Sequence, residues 1–106
     1  MIGGNITAEM LVLADGGYSE IGERIDIWGH YQTLHGFLDL MSGDSKYTYD
    51  SKLQESTHVF ICDYVDIDRR PEDKRLSCNG LIYDVLLIDD PMELHQHIEI
   101  YLKKVT

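Results

Sequence analysis

The chain has little cysteine, proline or positive charge. Of its 106 residues, 2 are Cys, 2 are Pro and 9 are Lys or Arg, against 19 Asp and Glu. Two cysteines make no disulfide framework. Cys62 and Cys78 form neither a CxxC pair nor a set with a second thiol pair, which argues against a structural zinc site. They read as reduced thiols of a cytosolic protein. A formal charge of −10 and a pI near 4.6 exclude the simplest nucleic-acid binder, because duplex binding draws most of its energy from Lys and Arg on phosphates. No stretch approaches the about 18 consecutive apolar residues of a membrane-spanning helix. The opening MIGGNITAEM has no basic region and no long apolar run, so neither a signal peptide nor a membrane partner is expected.

Catalytic signatures are missing too. There is no GxSxG, HExxH or GxxxxGK, and Gly3-Gly4 and Gly16-Gly17 read as turn glycines. A Cys-His nucleophile pair can be drawn from either thiol and five histidines, but the expected neighbours of the thiols are apolar, which makes them inert. Asp63, Asp66, Asp68 and Asp73 lack the glycine and the bidentate glutamate of a calcium loop, and Lys74, Arg69 and Arg70 are placed to screen them. His95 and His97 would point the same way on a strand, yet only the distant His30, His35 and His58 could complete a metal site. No enzyme activity, cofactor or metal is expected.

What remains is a chain with 43% apolar residues, 7 Tyr, 2 Phe and 1 Trp, enough for a packed core within one domain spanning residues 1–106. Period-2 alternation dominates it. Ile6, Ala8, Met10 and Val12 share one face of a strand, with Thr7 and Glu9 on the other. Asp15-Gly16-Gly17 then reads as a turn. Arg24–Ile27 alternates again, as do Leu34, Gly36, Leu38 and Leu40. Trp28, Tyr31, His35 and Leu38 also fall at helical spacing, but Gly29 and Gly36 cost a helix about 1 kcal/mol each. Strand is expected.

Ser42–Thr57 (SGDSKYTYDSKLQEST) has neither period and reads as a long loop in which Tyr49–Gln54 can form a short helix. Val59 and Ile61 then alternate with Phe60 and Cys62, and the pattern runs on through Tyr64, Val65 and Ile67. A hairpin centred on Arg70 would pair Asp66 with Lys74, Tyr64 with Leu76 and Cys62 with Cys78. Asn79-Gly80 is the strongest local signal, a type I′ turn placing Arg75 opposite Asp84 and Leu76 opposite Tyr83. Leu81–Ile88 reads as a central strand ended by Asp89-Asp90-Pro91. Ile98, Ile100 and Leu102 form the dry face of a last strand. The expected fold is mainly β, a small antiparallel β-barrel or sandwich of about six strands with one long loop.

Several of these segments, in this order, resemble the small head-completion, or head–tail connector, proteins of long-tailed bacteriophages. They are GERIDIWGHYQTLHGFLDLMSG with its Ser42-Gly43 bend, STHVFICDYVDID, a basic turn, NGLIYDVLLIDDP and HIEIYLKKV. The resemblance runs from about Met10 to Val105. It implies a structural virion protein of the neck: a stopper that joins a ring, dodecameric by the same resemblance, below the portal after packaging. It would close the DNA channel and offer the tail a surface. Implied partners are other copies of itself, a portal or adaptor ring above, and a tail-completion or tail-terminator protein below. Genomic DNA would pass through without specific binding. By position the family's channel loop corresponds to Ser42–Thr57, making Asp44, Lys46, Tyr47, Asp50, Lys52 and Glu55 the candidate lumen residues. The chain departs from the pattern at Asp63 beside Tyr64, where the family often carries a basic residue.

An acidic wall suits such a role, because a channel that lets duplex slide must not grip phosphates. Trp28, Tyr31, Tyr83 and Tyr101 could serve either the core or ring contacts. Two other readings stay open. An acidic DNA-mimic or other inhibitor module would need a face nearly free of cations, whereas Lys and Arg at 46, 52, 69, 70, 74 and 75 are interleaved with acids. An OB-like single-strand binder would need a basic groove.

Overall fold

The computed structural model describes residues 6–40 and 56–105. Among these residues six strands run β1 Ile6–Tyr18, β2 Arg24–Leu40, β3 His58–Asp63, β4 Lys74–Cys78, β5 Leu81–Asp89 and β6 His97–Lys104, with a short 3-10 turn at Pro91–Glu93 before the last. All pairings are antiparallel, and the sheet closes into a barrel in the order β1-β2-β3-β6-β5-β4, β4 returning to β1. This is the mainly β fold that the alternating pattern calls for.

Alternation places the core. Ala8 and Met10 of β1, Leu34 of β2, Phe60 and Cys62 of β3, Leu76 and Cys78 of β4, Tyr83, Val85 and Ile88 of β5, and Ile98, Ile100 and Leu102 of β6 are all buried. A barrel of six strands has an interior only wide enough for its own side chains, and these fill it. At Gly36 the strands come close. A Cβ built there would lie 2.1 Å from the Ile61 carbonyl oxygen, so only glycine fits between β2 and β3.

The Asn79-Gly80 hairpin forms as expected. Both residues take positive φ, 53° and 78°, and the register is Arg75↔Asp84 and Leu76↔Tyr83. The helical alternative for Trp28–Leu38 is replaced by one 17-residue strand.

Two expectations are corrected. Asp15-Gly16-Gly17 is not the turn. The strand continues to Tyr18 through a register shift after Asp15, where Gly17 supplies φ 86°. The chain reverses at Ser19–Glu23, where the Ser19 N–H donates to the Glu23 carbonyl at 2.7 Å and Gly22 to Ser19 at 3.0 Å. Nor does a hairpin centre on Arg70: Asp66–Lys74, Tyr64–Leu76 and Cys62–Cys78 are not cross-strand pairs. β3 pairs with β2 and β6, and β4 with β1 and β5, which puts them on opposite sides of the ring. The connection 64–73 therefore crosses one end of the barrel. Tyr64, Val65 and Ile67 pack against the core there, so their apolar alternation reflects a plug rather than a strand.

Candidate functional site

The first two strands outrun their neighbours. β4 accompanies β1 only from Ala8 to Val12, and β3 accompanies β2 only from Gly36 to Leu40. Past Leu13↔Trp28 they pair only with each other among the described residues, out to Tyr18↔Arg24. The result is a two-stranded arm rising from the plugged end of the barrel, consistent with extents of 47 × 27 × 27 Å.

An isolated two-stranded ribbon is marginal in water, so its root has to be held. Three contacts hold it. The Leu13 N–H donates to the Asp73 carbonyl at 2.8 Å. The Arg75 guanidinium lies 4.6 Å over the Trp28 ring, and its Nε donates to Asp84 Oδ1 at 3.0 Å. Inside, the buried Lys74 donates to Asp73 Oδ1 (2.9 Å), Asp68 Oδ2 (3.2 Å) and the Arg70 carbonyl (3.1 Å), and lies 5.4 Å from the centre of the Tyr31 ring. Tyr31 Oη in turn accepts from the Asp68 N–H at 2.9 Å. This network ties the crossing segment to β2. A side-chain bond from Arg70, with help from Lys74, holds the Asp68 carboxyl well below the usual carboxylate range. Of the four aspartates that could suggest a cation site, Asp68 and Asp73 are thus answered by the chain's own cations.

The arm itself is apolar and acidic. Tyr18 and Ile21 are 73% and 80% exposed, and Ile25 and Ile27 also face water. Between residues 14 and 27 stand four acids, Asp15, Glu20, Glu23 and Asp26, and one cation, Arg24, which sits 3.4 Å from Asp26.

The turn before β6 closes the same end. Asp90 is buried, its Oδ1 accepting from the His95 N–H at 3.0 Å and its Oδ2 bonded to His95 Nδ1. Burial opposes ionisation of Asp90, but the His95 bonds outweigh it and the pKa falls. Tyr64 lies against the His95 ring at 4.5 Å, joining this turn to the plug. Met92, Glu93 and His95 all take φ near 55°, a left-handed conformation costing a non-glycine residue roughly 1 kcal/mol or more. Ligand-type atoms of Asp90, Glu93 and His95 come within 4.8 Å of one another, yet Arg69 holds both Glu93 oxygens at 3.1 and 3.2 Å. That cluster already has partners within the chain. Sequence reasoning linked His95 to His97 instead; the available signal was Asp90-Pro91, which starts a tight turn returning to a donor.

The two histidines have separate roles. His97 opens β6, with its Nε2 2.9 Å from Glu99 Oε2, while Tyr101 donates to Glu99 Oε1 at 2.6 Å. Burial, and then this bond to Glu99, push the Tyr101 hydroxyl well above its ordinary pKa. Asp89 lies opposite Glu99, and burial followed by that charge raises its carboxyl. Neither thiol is activated. Burial, then Asp63, pushes Cys62 up to about 11, and burial raises Cys78.

The far end of the barrel carries two described cations outside any ion pair. Seven of the nine cations lie among the described residues, and Arg24, Arg69, Arg70, Lys74 and Arg75 are in ion pairs with acids. Lys103 and Lys104, adjacent on β6, have no ion-pair partner among the described residues. They lie with Val105 and Leu81, both partly exposed, and the Val105 N–H donates to the Ile82 carbonyl at 3.0 Å. The candidate channel residues Asp44, Lys46, Tyr47, Asp50, Lys52 and Glu55, and the short helix at Tyr49–Gln54, lie outside the described residues. No described helix is long and apolar enough to cross a membrane.

No family model and no curated protein sequence matches this chain. Solved structures do. The solution structure of a protein from Shigella flexneri 2a superposes with a TM-score of 0.70 at 14% identity, covering 95% of this chain and 92% of that one. A chain from the virion of a native gene transfer agent particle superposes with a TM-score of 0.61 at 11% identity, covering 95% and 94%. At these identities the likeness is one of fold, and it extends over nearly the whole of each chain.

Proposed function

We propose that this protein is a structural virion protein of a tailed phage, a head–tail connector or stopper of the neck. The observation that carries the reading is the full-length fold likeness to a chain of a gene transfer agent virion, a DNA-carrying particle by its name. The ordered segments that resemble the head-completion family point the same way. In this role copies form a ring below the portal or adaptor ring and close the channel after packaging. They then present a surface to a tail-completion or tail-terminator protein. DNA passes along the ring axis, because each barrel is filled by its own side chains. An acidic ring disfavours a grip on phosphates. The protein acts by assembly rather than catalysis.

Ion pairing weighs against the DNA-mimic inhibitor. Arg69, Arg70 and Arg75 stand among the acids at the plugged end and break up any purely anionic face.

The test is electron microscopy of particles from the phage or prophage that carries the gene, with the gene disrupted. Leaking or DNA-depleted heads beside unattached, complete tails are expected. Normal tailed, DNA-filled particles would overturn the proposal and bring the inhibitor reading forward.

A further inference from the structure

The geometry points to a specific contact between copies: the β1–β2 arm of one chain docks on the Leu81, Lys103, Lys104 and Val105 end of the next. The inference deepens the neck-protein reading and rests on it for the biological setting, although the contact itself is a property of the isolated chain.

Three observations carry it. First, the arm is a two-stranded sheet segment flanked by no further strand among the described residues. Its strands pair only with each other beyond Leu13↔Trp28 among the described residues, and it exposes Tyr18, Ile21, Ile25 and Ile27. A cluster of exposed large apolar side chains on a projecting element marks an interaction site. Second, the charges are complementary. The arm carries four acids and one cation between residues 14 and 27, whereas Lys103 and Lys104 are the described cations left without an ion pair. Of the described acids near them, Asp84 lies opposite Lys103 but its Oδ1 accepts from Arg75 Nε at 3.0 Å, and Asp39 on β2 accepts from the Leu40 N–H at 2.9 Å.

Third, the two surfaces lie at opposite ends of one molecule. β1 runs from Ile6 beside the β4–β5 turn up into the arm, and the antiparallel register carries β6 the other way, Lys104 lying opposite Tyr83. One chain cannot satisfy both surfaces itself. A contact between two different patches is heterologous, and repeated copies close into a ring when the rotation allows. An arm-to-arm pairing would instead bring acid against acid.

The test uses the purified full chain in two variants, Ile21→Cys on the arm and Val105→Cys at the far end. Both positions are at least partly exposed, and the native Cys62 and Cys78 are buried. A short bismaleimide is added to each variant alone and to an equal mixture. The expected result is a cross-linked two-chain product in the mixture, well above either variant alone. Adding Lys103→Glu and Lys104→Glu to the Val105→Cys partner should cut its yield by roughly tenfold or more. Adding Glu20→Lys and Glu23→Lys to the arm of the other partner should restore it.

No product in the mixture, an equal product from Ile21→Cys alone, or a yield indifferent to charge reversal would each overturn the contact. Circular dichroism of every variant guards against misfolding as the cause. The gene-disruption experiment reads the biological role separately. Lost head closure with no arm cross-link refutes the contact and keeps the neck reading. A charge-dependent cross-link with normal virions does the reverse.

Discussion

Gly36 is where the barrel tests its own closure most directly. In Gly36→Ala the new methyl would meet the Ile61 carbonyl oxygen at 2.1 Å, the Ile61 carbonyl carbon at 2.9 Å and Cys62 Cβ at 3.0 Å. Carbon atoms of side chains do not approach within 3.0 Å, so β2 and β3 must part by at least 0.9 Å there (3.0 less 2.1). That separation lies within a five-pair ladder from Gly36↔Cys62 to Leu40↔His58 and lengthens its first hydrogen bonds beyond useful range. Two bonds at about 1 kcal/mol each, plus disturbed packing of Cys62, come to roughly 3 kcal/mol. The lower chain entropy of unfolded alanine returns about 0.4–1 kcal/mol. A net loss of about 2 kcal/mol corresponds to a Tm lower by about 8–16 °C for a domain of this size.

Gly29 is the internal control. It lies on the same strand, its φ is outside the left-handed region, and a Cβ there meets nothing within 4 Å. Gly29→Ala should be neutral or stabilising by a few tenths of a kcal/mol up to about 1. Thermal unfolding of the two variants beside the parent decides the matter. Equal shifts, or a Gly36→Ala protein as stable as the parent, would refute the β2–β3 register on which the barrel depends.

Lys74→Met keeps the stem but removes the buried ammonium that Asp68, Asp73 and the Arg70 carbonyl share. It should lower stability by about 2 kcal/mol, below the usual range for a buried pair because both carboxylates are about a third exposed. Urea unfolding should show a lower midpoint at an unchanged slope. Asp89→Asn should stabilise the protein at neutral pH by up to about 1 kcal/mol, because it removes a charge disfavoured first by burial and then by Glu99 facing it across β5 and β6. The folded carboxyl titrates above its unfolded value of 3.8, so the penalty is present above the folded pKa and relieved as pH falls through it. The gain from Asn should therefore vanish in acid; a gain that persists there would refute the electrostatic cause. Cys62 and Cys78, buried with raised pKa values, should resist alkylation at mildly alkaline pH until denaturant is added. Prompt labelling of the native protein would show that the barrel opens.

The mainly β class, the buried faces and the Asn79-Gly80 hairpin are legible in the order of residues alone. Side chains on a strand alternate with period 2, so Ile98, Ile100 and Leu102 declare a dry face without any knowledge of the partner strand. A two-residue turn with both φ positive likewise sets its own register. Which strands are neighbours is settled by closure of the barrel. Alternation in Tyr64, Val65 and Ile67 looks the same whether the residues pair in a hairpin or plug a barrel end, and closure of the ring selects the plug because it seats β3 and β4 on opposite walls. The same closure decided that β1 and β2 outlast their neighbours and become an arm. It also placed Lys74 inside a cage of carboxylates and left Lys103 and Lys104 without ion pairs among the described residues. Such outcomes depend on strand lengths and cross-barrel distances, which no local pattern of residues contains.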